Sequence, residues 1–125
     1  MKKLLVLLPL AALFFSCAST PAGQSEKTLA EQARDRALSV KADIAAKNEF
    51  AAAQAAFDEA AALEASGNAA AASRYQESER LFTAVYESVK AKRDAAQKEL
   101  DAARAAIRDV ENEAAELDRR RGGNQ

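Results

Sequence analysis

The stretch "ASGNAA", residues 65–70, separates two long segments with a helical pattern and decides the fold predicted for this chain. Gly67 suits the left-handed backbone conformation that ends a helix, and Asn68 can cap the helix that follows. A connection this short joins antiparallel neighbours. The alternative is one continuous helix that tolerates the glycine at a cost of about 1 kcal/mol. Serine, glycine and asparagine occur together at residues 66–68, so the sequence favours a turn at 67–68. With this turn, the predicted fold is all-α: a long antiparallel helical hairpin with coiled-coil character.

The segment before the turn predicts a first helix over residues 26–66, because it contains neither glycine nor proline. Some of its apolar residues follow three- and four-residue spacings and so lie on one helix face; they are Leu29, Ala33, Ala37, Val40 and Ile44. Phe50 and Phe57 are displaced from that face. We therefore expect a kink near Asn48, with a full break there as the alternative.

The segment after the turn predicts a second helix over residues 69–121, followed by a disordered tail at 122–125. Apolar residues recur in this helix at intervals of seven: Phe82, Val89, Ala96, Ala103, Val110 and Leu117. A neighbouring column contains Tyr86, Leu100, Ile107 and Ala114, and Arg93 interrupts it. A heptad pattern of this length predicts a helical partner along most of the helix.

The two predicted helices differ in length, so part of the second one has no partner within the hairpin. Counting outward from the turn places Ile44 opposite about Val89, and Leu29 opposite about Ile107. The pattern then continues with nothing opposite it, through Val110, Ala114 and Leu117. These three residues form a predicted interaction seam for self-association, for a partner helix or for a third segment. The alternative is a monomer whose amphipathic helix simply continues.

The composition argues against a thick core and against several classes of function. Alanine accounts for 33 of the 125 residues and aromatic residues for 6%, and alanine buries little apolar area. The formal net charge is −1, so no basic excess would attract nucleic acid. Without histidine, the chain lacks the usual general base near neutral pH and the commonest metal ligand. We expect no enzymatic activity, no cofactor and no metal site.

Three arginines near the C-terminus, Arg119, Arg120 and Arg121, have two interpretations. They could contact an anion, such as a phospholipid headgroup, an acidic wall polymer or a carboxylate-bearing stem peptide. They could instead stabilise the negative end of the helix dipole, which contributes about 0.3–1 kcal/mol for each cation. The sequence favours the second interpretation.

The first residues have the order of a secretory signal peptide, predicted over residues 1–16. Lys2 and Lys3 precede the apolar run "LLVLLPLAALFF" at residues 4–15. This run is too short to cross a membrane as a helix, and small residues follow it. Residues 17–25 contain proline and glycine among small and polar side chains, which predicts a flexible tether.

Ser16-Cys17 at the end of the apolar run resembles the lipobox of bacterial lipoproteins, with Phe14 and Phe15 in place of the usual leucine and small residue. The resemblance implies that Cys17 becomes the first mature residue and carries diacylglycerol, with a further acyl chain on its amine. It implies a lipid anchor in the bacterial cell envelope. Ala18, in place of an aspartate, favours the outer membrane, facing the periplasm.

The helical body also resembles known families. Residues 29–103 are similar to small, Ala-rich bacterial lipoproteins with a domain of unknown function, which share a paired-helix body and a Gly-Asn turn. The heptad helix resembles that of the murein lipoprotein, but the chain lacks the terminal lysine of that family, so peptidoglycan contact would be non-covalent. These resemblances imply a structural or interaction module that is anchored by lipid and bound to a further copy or to an envelope protein.

A third resemblance implies a different function. Residues 55–82 resemble a tetratricopeptide hairpin, with an aromatic residue and alanines around a glycine-containing turn. That resemblance implies an adaptor or chaperone that binds peptides or outer-membrane proteins.

Overall fold

The computed structural model describes residues 23–123. The predicted signal peptide, Cys17 and most of the predicted tether lie outside these residues, as does the end of the predicted tail. The described residues form four helices: α1 at Gln24–Ser39, α2 at Ala42–Ala45, α3 at Lys47–Ala65 and α4 at Ala71–Gly122. Residues 23–123 contain no strand, and the long helix α4 packs against the others, so the predicted all-α fold is confirmed.

The turn between α3 and α4 forms as the sequence predicts. Gly67 has a φ of 68°, in the left-handed region. Its backbone N–H donates to the Glu64 carbonyl, and the Asn68 N–H donates to the Leu63 carbonyl, both at 2.9 Å. These two bonds are the Schellman pair that satisfies the last carbonyls of a helix. The Asn68 side-chain oxygen accepts a bond from the Ala70 N–H at 2.9 Å, which helps to start α4.

The single helix predicted over residues 26–66, with a kink near Asn48, is wrong. The chain leaves the helix after Ser39, and Lys41 has a left-handed φ of 60°, although it is not a glycine. Ala46, with a φ of −140°, separates α2 from α3, and Asn48 lies inside α3. The left-handed conformation costs a side-chain-bearing residue about 1–2 kcal/mol. The burial of α1 and α3 against α4 offsets this cost.

The chain reverses at residues 40–46, so that three helices lie side by side. The Lys27 ammonium lies 3.0 Å from the Glu64 carboxylate, and the Arg34 guanidinium lies 4.8 Å from the centre of the Phe57 ring. Residue numbers therefore rise in α1 as they fall in α3, which makes these helices antiparallel. Because α3 is also antiparallel to α4, α1 runs parallel to α4, and Gly23 lies against Ala72. The arrangement is an up-down-up bundle.

Aromatic pairs and small residues fill the core of the bundle. Phe50 meets Phe82 and Phe57 meets Tyr75 edge to face, with ring centres 5.1 and 5.2 Å apart. The side chain of Ser78 is fully buried, and its hydroxyl donates to a carbonyl of α3 at 3.0 Å. Alanines without solvent exposure line the faces of α1 and α3; they are Ala30, Ala33, Ala37, Ala53 and Ala60. Small side chains allow the helix axes to approach closely.

The bundle covers only the first part of α4. The buried residues of this helix are Ala71, Tyr75, Ser78, Phe82, Val85 and Val89. From residue 90 onward every residue of α4 is exposed except the half-buried Ala105. The predicted pairing of Ile44 with Val89 and of Leu29 with Ile107 is therefore wrong. Ile44 is 76% exposed, and Leu29 lies at the opposite end of the bundle, near Glu64, because the first segment folds back on itself.

A polar cluster joins all three long helices at the end near the Gly67 turn. The Glu64 carboxylate accepts hydrogen bonds from the Tyr75 hydroxyl at 2.7 Å and from the Lys27 ammonium at 3.0 Å. These bonds, that of Tyr75 first, lower the pKa of Glu64 below its usual value. The bond to Glu64 raises the pKa of Lys27, and burial raises the pKa of Tyr75. The charged form of Glu64 therefore stabilises the bundle.

The reversal at Lys41 predicts an unusual response to glycine. Lys41→Gly should raise the free energy of unfolding by up to about 1 kcal/mol, because glycine adopts a left-handed φ without steric strain. In a continuous helix the same change would lower it by about 1 kcal/mol. Urea unfolding followed by circular dichroism measures the sign. The control is Ala55→Gly, at an exposed site inside α3, where a loss of about 1 kcal/mol is expected. An equal loss at Lys41 would contradict the turn.

The polar cluster predicts a pH dependence of stability. The pKa of Glu64 is lower in the folded state than in the unfolded chain, where it is about 4.5. The carboxylate therefore adds to the free energy of unfolding above that pH, and this stabilisation is lost as the pH falls through the folded-state pKa. Glu64→Gln should destabilise the bundle near neutral pH, and the difference from the unsubstituted chain should shrink in acid. Unfolding curves across that range measure it. Glu59→Gln, at an exposed ion pair with Arg74, is the control with the smaller effect. A constant difference for Glu64→Gln would contradict the assignment.

Candidate interaction surface

The part of α4 beyond the bundle carries a continuous apolar face, which we call the α4 stripe. It consists of seven residues in alternating steps of four and three: Ala96, Leu100, Ala103, Ile107, Val110, Ala114 and Leu117. Its four large members are exposed, by 46% at Leu100, 59% at Ile107, 64% at Val110 and 56% at Leu117. The stripe is roughly 32 Å long at 1.5 Å per residue. Contiguous exposed apolar faces are typical of interaction sites.

The predicted seam of Val110, Ala114 and Leu117 lies within this stripe and is exposed. The structure adds four residues to the same face, because α1 turns back at Lys41 and does not reach them. The sequence contains a signal for this boundary. In α4, one set of residues spaced seven apart is small or apolar and buried: Ala71, Ser78 and Val85. The next residues at the same spacing, Lys92 and Glu99, are charged and exposed. The apolar face of α4 therefore narrows where the bundle ends.

The width of the stripe matches one helical partner. Within the bundle, α4 contacts both α1 and α3, and its buried face is correspondingly broad. Beyond Val89 only two sets of residues spaced seven apart stay apolar as far as Leu117, with Arg93 the one exception, and this is the pattern of a two-stranded coiled-coil seam. The stripe is therefore suited to a single helix.

Charged residues of both signs flank the stripe. On one side lie Arg104, Glu111 and Asp118, and on the other lie Glu99, Glu113 and Arg120. Both arginines contact carboxylates of their own helix: Arg104 lies 3.8 Å from Asp101, and Arg120 is paired with Glu116. The paired groups are all more than half exposed, so the pairs are weak and can exchange partners.

The three C-terminal arginines occupy the last turn of α4. The Arg119 side chain donates to the Ala115 carbonyl at 3.3 Å, and Arg120 is held by Glu116. Cations at this position stabilise the helix dipole. The alternative contact of Arg121 and its neighbours with an anion stays a prediction.

Two surface grooves lie on the bundle side of the stripe and contain none of its residues. The first, with a volume of about 300 Å³, lies where the bundle ends and is lined by Val40, Tyr86, Lys90, Arg93, Asp94 and Gln97. The second, of about 240 Å³, is largely apolar and lies between α3 and α4, beside Ala52, Leu81 and Val85. Among residues 23–123 no group of acidic, cysteine or histidine side chains has the arrangement of a metal site. No helix in this part of the chain is long and apolar enough to cross a membrane.

No protein-family model, curated protein or solved structure matches the chain. Cys17, the predicted lipid attachment residue, lies outside the described residues, whereas the predicted seam lies on their most exposed helix.

The division of α4 predicts two classes of substitution. Phe82→Ala, in the buried part, should lower the free energy of unfolding by about 3–5 kcal/mol. Ile107→Ser, in the α4 stripe, should change it by less than about 0.5 kcal/mol in dilute solution, because the Ile107 side chain is exposed and no other helix among residues 23–123 packs on it. Thermal and urea unfolding at low protein concentration measure both values. A loss at Ile107 comparable to that at Phe82 would show that another part of the chain covers the stripe.

Proposed function

We propose that the protein is a lipid-anchored cell-envelope module whose α4 stripe docks a helix. The observation that carries the proposal is the exposed heptad face beyond the bundle, with its four large apolar side chains about half exposed or more. The signal-like N-terminus and the Ser16-Cys17 pair support the anchor. Acyl chains contribute about 0.8 kcal/mol per buried methylene, so several chains hold a protein at a membrane without a spanning segment.

The direction of the helices supports this arrangement. Gly23, six residues after Cys17, lies against Ala72 at the start of α4. The stripe begins at Ala96 and ends at Leu117, which are roughly 36 and 68 Å further along the helix at 1.5 Å per residue. The bundle would thus stand at the anchored end, and α4 would carry its docking surface away from it.

The resemblances to Ala-rich lipoproteins and to the murein lipoprotein support the same proposal, with an outer-membrane anchor that faces the periplasm. Non-covalent contact with peptidoglycan is compatible with it. The tetratricopeptide-like adaptor stays a prediction, because no contact among residues 23–123 specifically favours peptide binding.

The anchor and the docking surface can be tested in one set of cells. Cys17→Ala should leave the protein unprocessed or release it from the membrane fraction. If this variant still fractionates with membranes at its mature mass, the lipid anchor is wrong. Fractionation and intact mass measure the result.

The docking surface is tested with Val110→Ser combined with Leu117→Ser. In the anchored full chain this double variant should lose the adducts formed by an amine crosslinker within the envelope. The control is Ile44→Ser, which removes an exposed apolar side chain outside the stripe and should leave the adducts unchanged. Equal adducts in all three proteins would contradict docking at the stripe.

A further inference from the structure

We infer that the occupant of the α4 stripe is the same stripe of a second copy of this chain, in antiparallel orientation. The inference rests on the proposed function, since it takes the stripe to be a docking surface. It is carried by two independent properties of the stripe, the order of its side-chain sizes and the order of the charges beside it.

The sizes of the six stripe residues from Leu100 to Leu117 follow the same order from either end. From the middle outward the order is Ile107 and Val110, then Ala103 and Ala114, then Leu100 and Leu117. In an antiparallel pair with its two-fold axis between residues 108 and 109, each of these residues meets its counterpart in the second copy. Isoleucine faces valine, alanine faces alanine and leucine faces leucine, so that six layers pair residues of similar size. Such matching is what close packing of a core requires.

The flanking charges are complementary in the same register. In antiparallel pairs the residues on one side of the seam face those on the same side of the other copy. Arg104 then faces Glu111 of the second copy, and Glu99 faces Arg120 of the second copy. By symmetry each contact occurs twice, which gives four attractive pairs and no pair of like charges. The remaining flanking contacts join Gln97 to Asp118, and Ala106 to Glu113.

A parallel pair would be less complementary. Its flanking contacts attract where Glu99 meets Arg104 and repel where Glu113 meets Asp118, and by symmetry each of these contacts occurs twice, so attraction and repulsion balance. The seam itself would bring Arg93 against Arg93, and Arg121 against Arg121. In the antiparallel pair Arg121 instead lies opposite Ala96, where its aliphatic stem can cover the alanine while its charge stays in water.

The length of the free part of α4 also fits one antiparallel copy. The helix ends at Gly122, which lies level with residue 95 of the second copy. The bundle begins just beyond that point, since Val40 lines the same groove as Arg93 and Gln97. The second helix therefore fills the exposed face up to the bundle and stops there. Two of the six layers pair alanines and bury little area, so the dimer should be weak and concentration dependent.

Cysteine pairing distinguishes the orientations in the full-length chain. We expect the double variant Ala103→Cys with Ala114→Cys to form a disulfide-linked dimer on mild oxidation, because position 103 faces 114 across the axis. Either substitution alone should not link, since neither position meets itself. The unsubstituted chain, with only Cys17, measures any background link. Linkage by each single variant would show a parallel pair, and no linkage in any variant would contradict pairing at this register.

Charge exchange gives a second test that does not depend on disulfide geometry. Arg104→Glu should weaken dimerisation by at least about tenfold, because two attractive pairs become repulsive. Adding Glu111→Arg in the same chain should restore the affinity to within about threefold of the original, since the pairs reform with signs reversed. Light scattering over a concentration series measures both. Arg108→Glu, on the outer face, is the control without effect. No restoration by the second change would overturn the antiparallel register.

The outcome also separates this inference from the proposed function. If the chain is monomeric at every concentration, but stripe substitutions still abolish an envelope adduct, the partner is another protein and only the inference fails. If stripe substitutions change neither the solution mass nor the adducts, both fail.

Discussion

Lys41 holds the left-handed conformation that folds the first helical segment back on itself, and the bundle depends on this reversal. A φ of 60° is sterically strained at a residue other than glycine, so the turn by itself lowers the free energy of unfolding. It persists because it lets two helices, α1 and α3, bury their alanine faces against the same part of α4. The reversal also sets the length of that contact. Since α1 and α3 are each less than half as long as α4, burial on α4 stops at Val89.

The remainder of α4 is consequently a helix that no other part of residues 23–123 covers. Helices in proteins gain most of their stability from the packing of an apolar face rather than from helix propensity. The α4 stripe keeps the heptad order through Leu117, where no element of the bundle reaches. A second copy would supply the missing packing. In the antiparallel arrangement the starts of the two α4 helices would be roughly 110 Å apart at 1.5 Å per residue, with one anchored end at each extreme.

Part of this architecture could be predicted from the sequence. Gly67 predicted the turn correctly, because the left-handed position at the end of a helix favours glycine. The heptad pattern of α4 could be read from the spacing of its apolar residues. The reversal at Lys41 could not be found in this way, because lysine is a good helix former and the neighbouring residues include no glycine or proline. The sequence of α4 nevertheless indicates where the bundle ends. Among residues spaced seven apart, the side chain is apolar at Val85 but charged at Lys92 and Glu99. The predicted seam residues Val110, Ala114 and Leu117 are exposed, within an exposed face that is longer than the sequence indicated, and their role in an interaction stays a prediction.

The central claim is that the bundle covers the first part of α4, whereas the second part, which no residue from 23 to 123 covers, is covered by a partner. Residue-resolved amide hydrogen exchange of the full chain at several concentrations tests it most directly. Amides in the buried part, up to Val89, should be protected to the same degree at every concentration. Those between Ala96 and Leu117 should exchange rapidly in dilute solution and become protected as the concentration rises. Strong protection of this second part at every concentration, or rapid exchange at every concentration, would contradict the account.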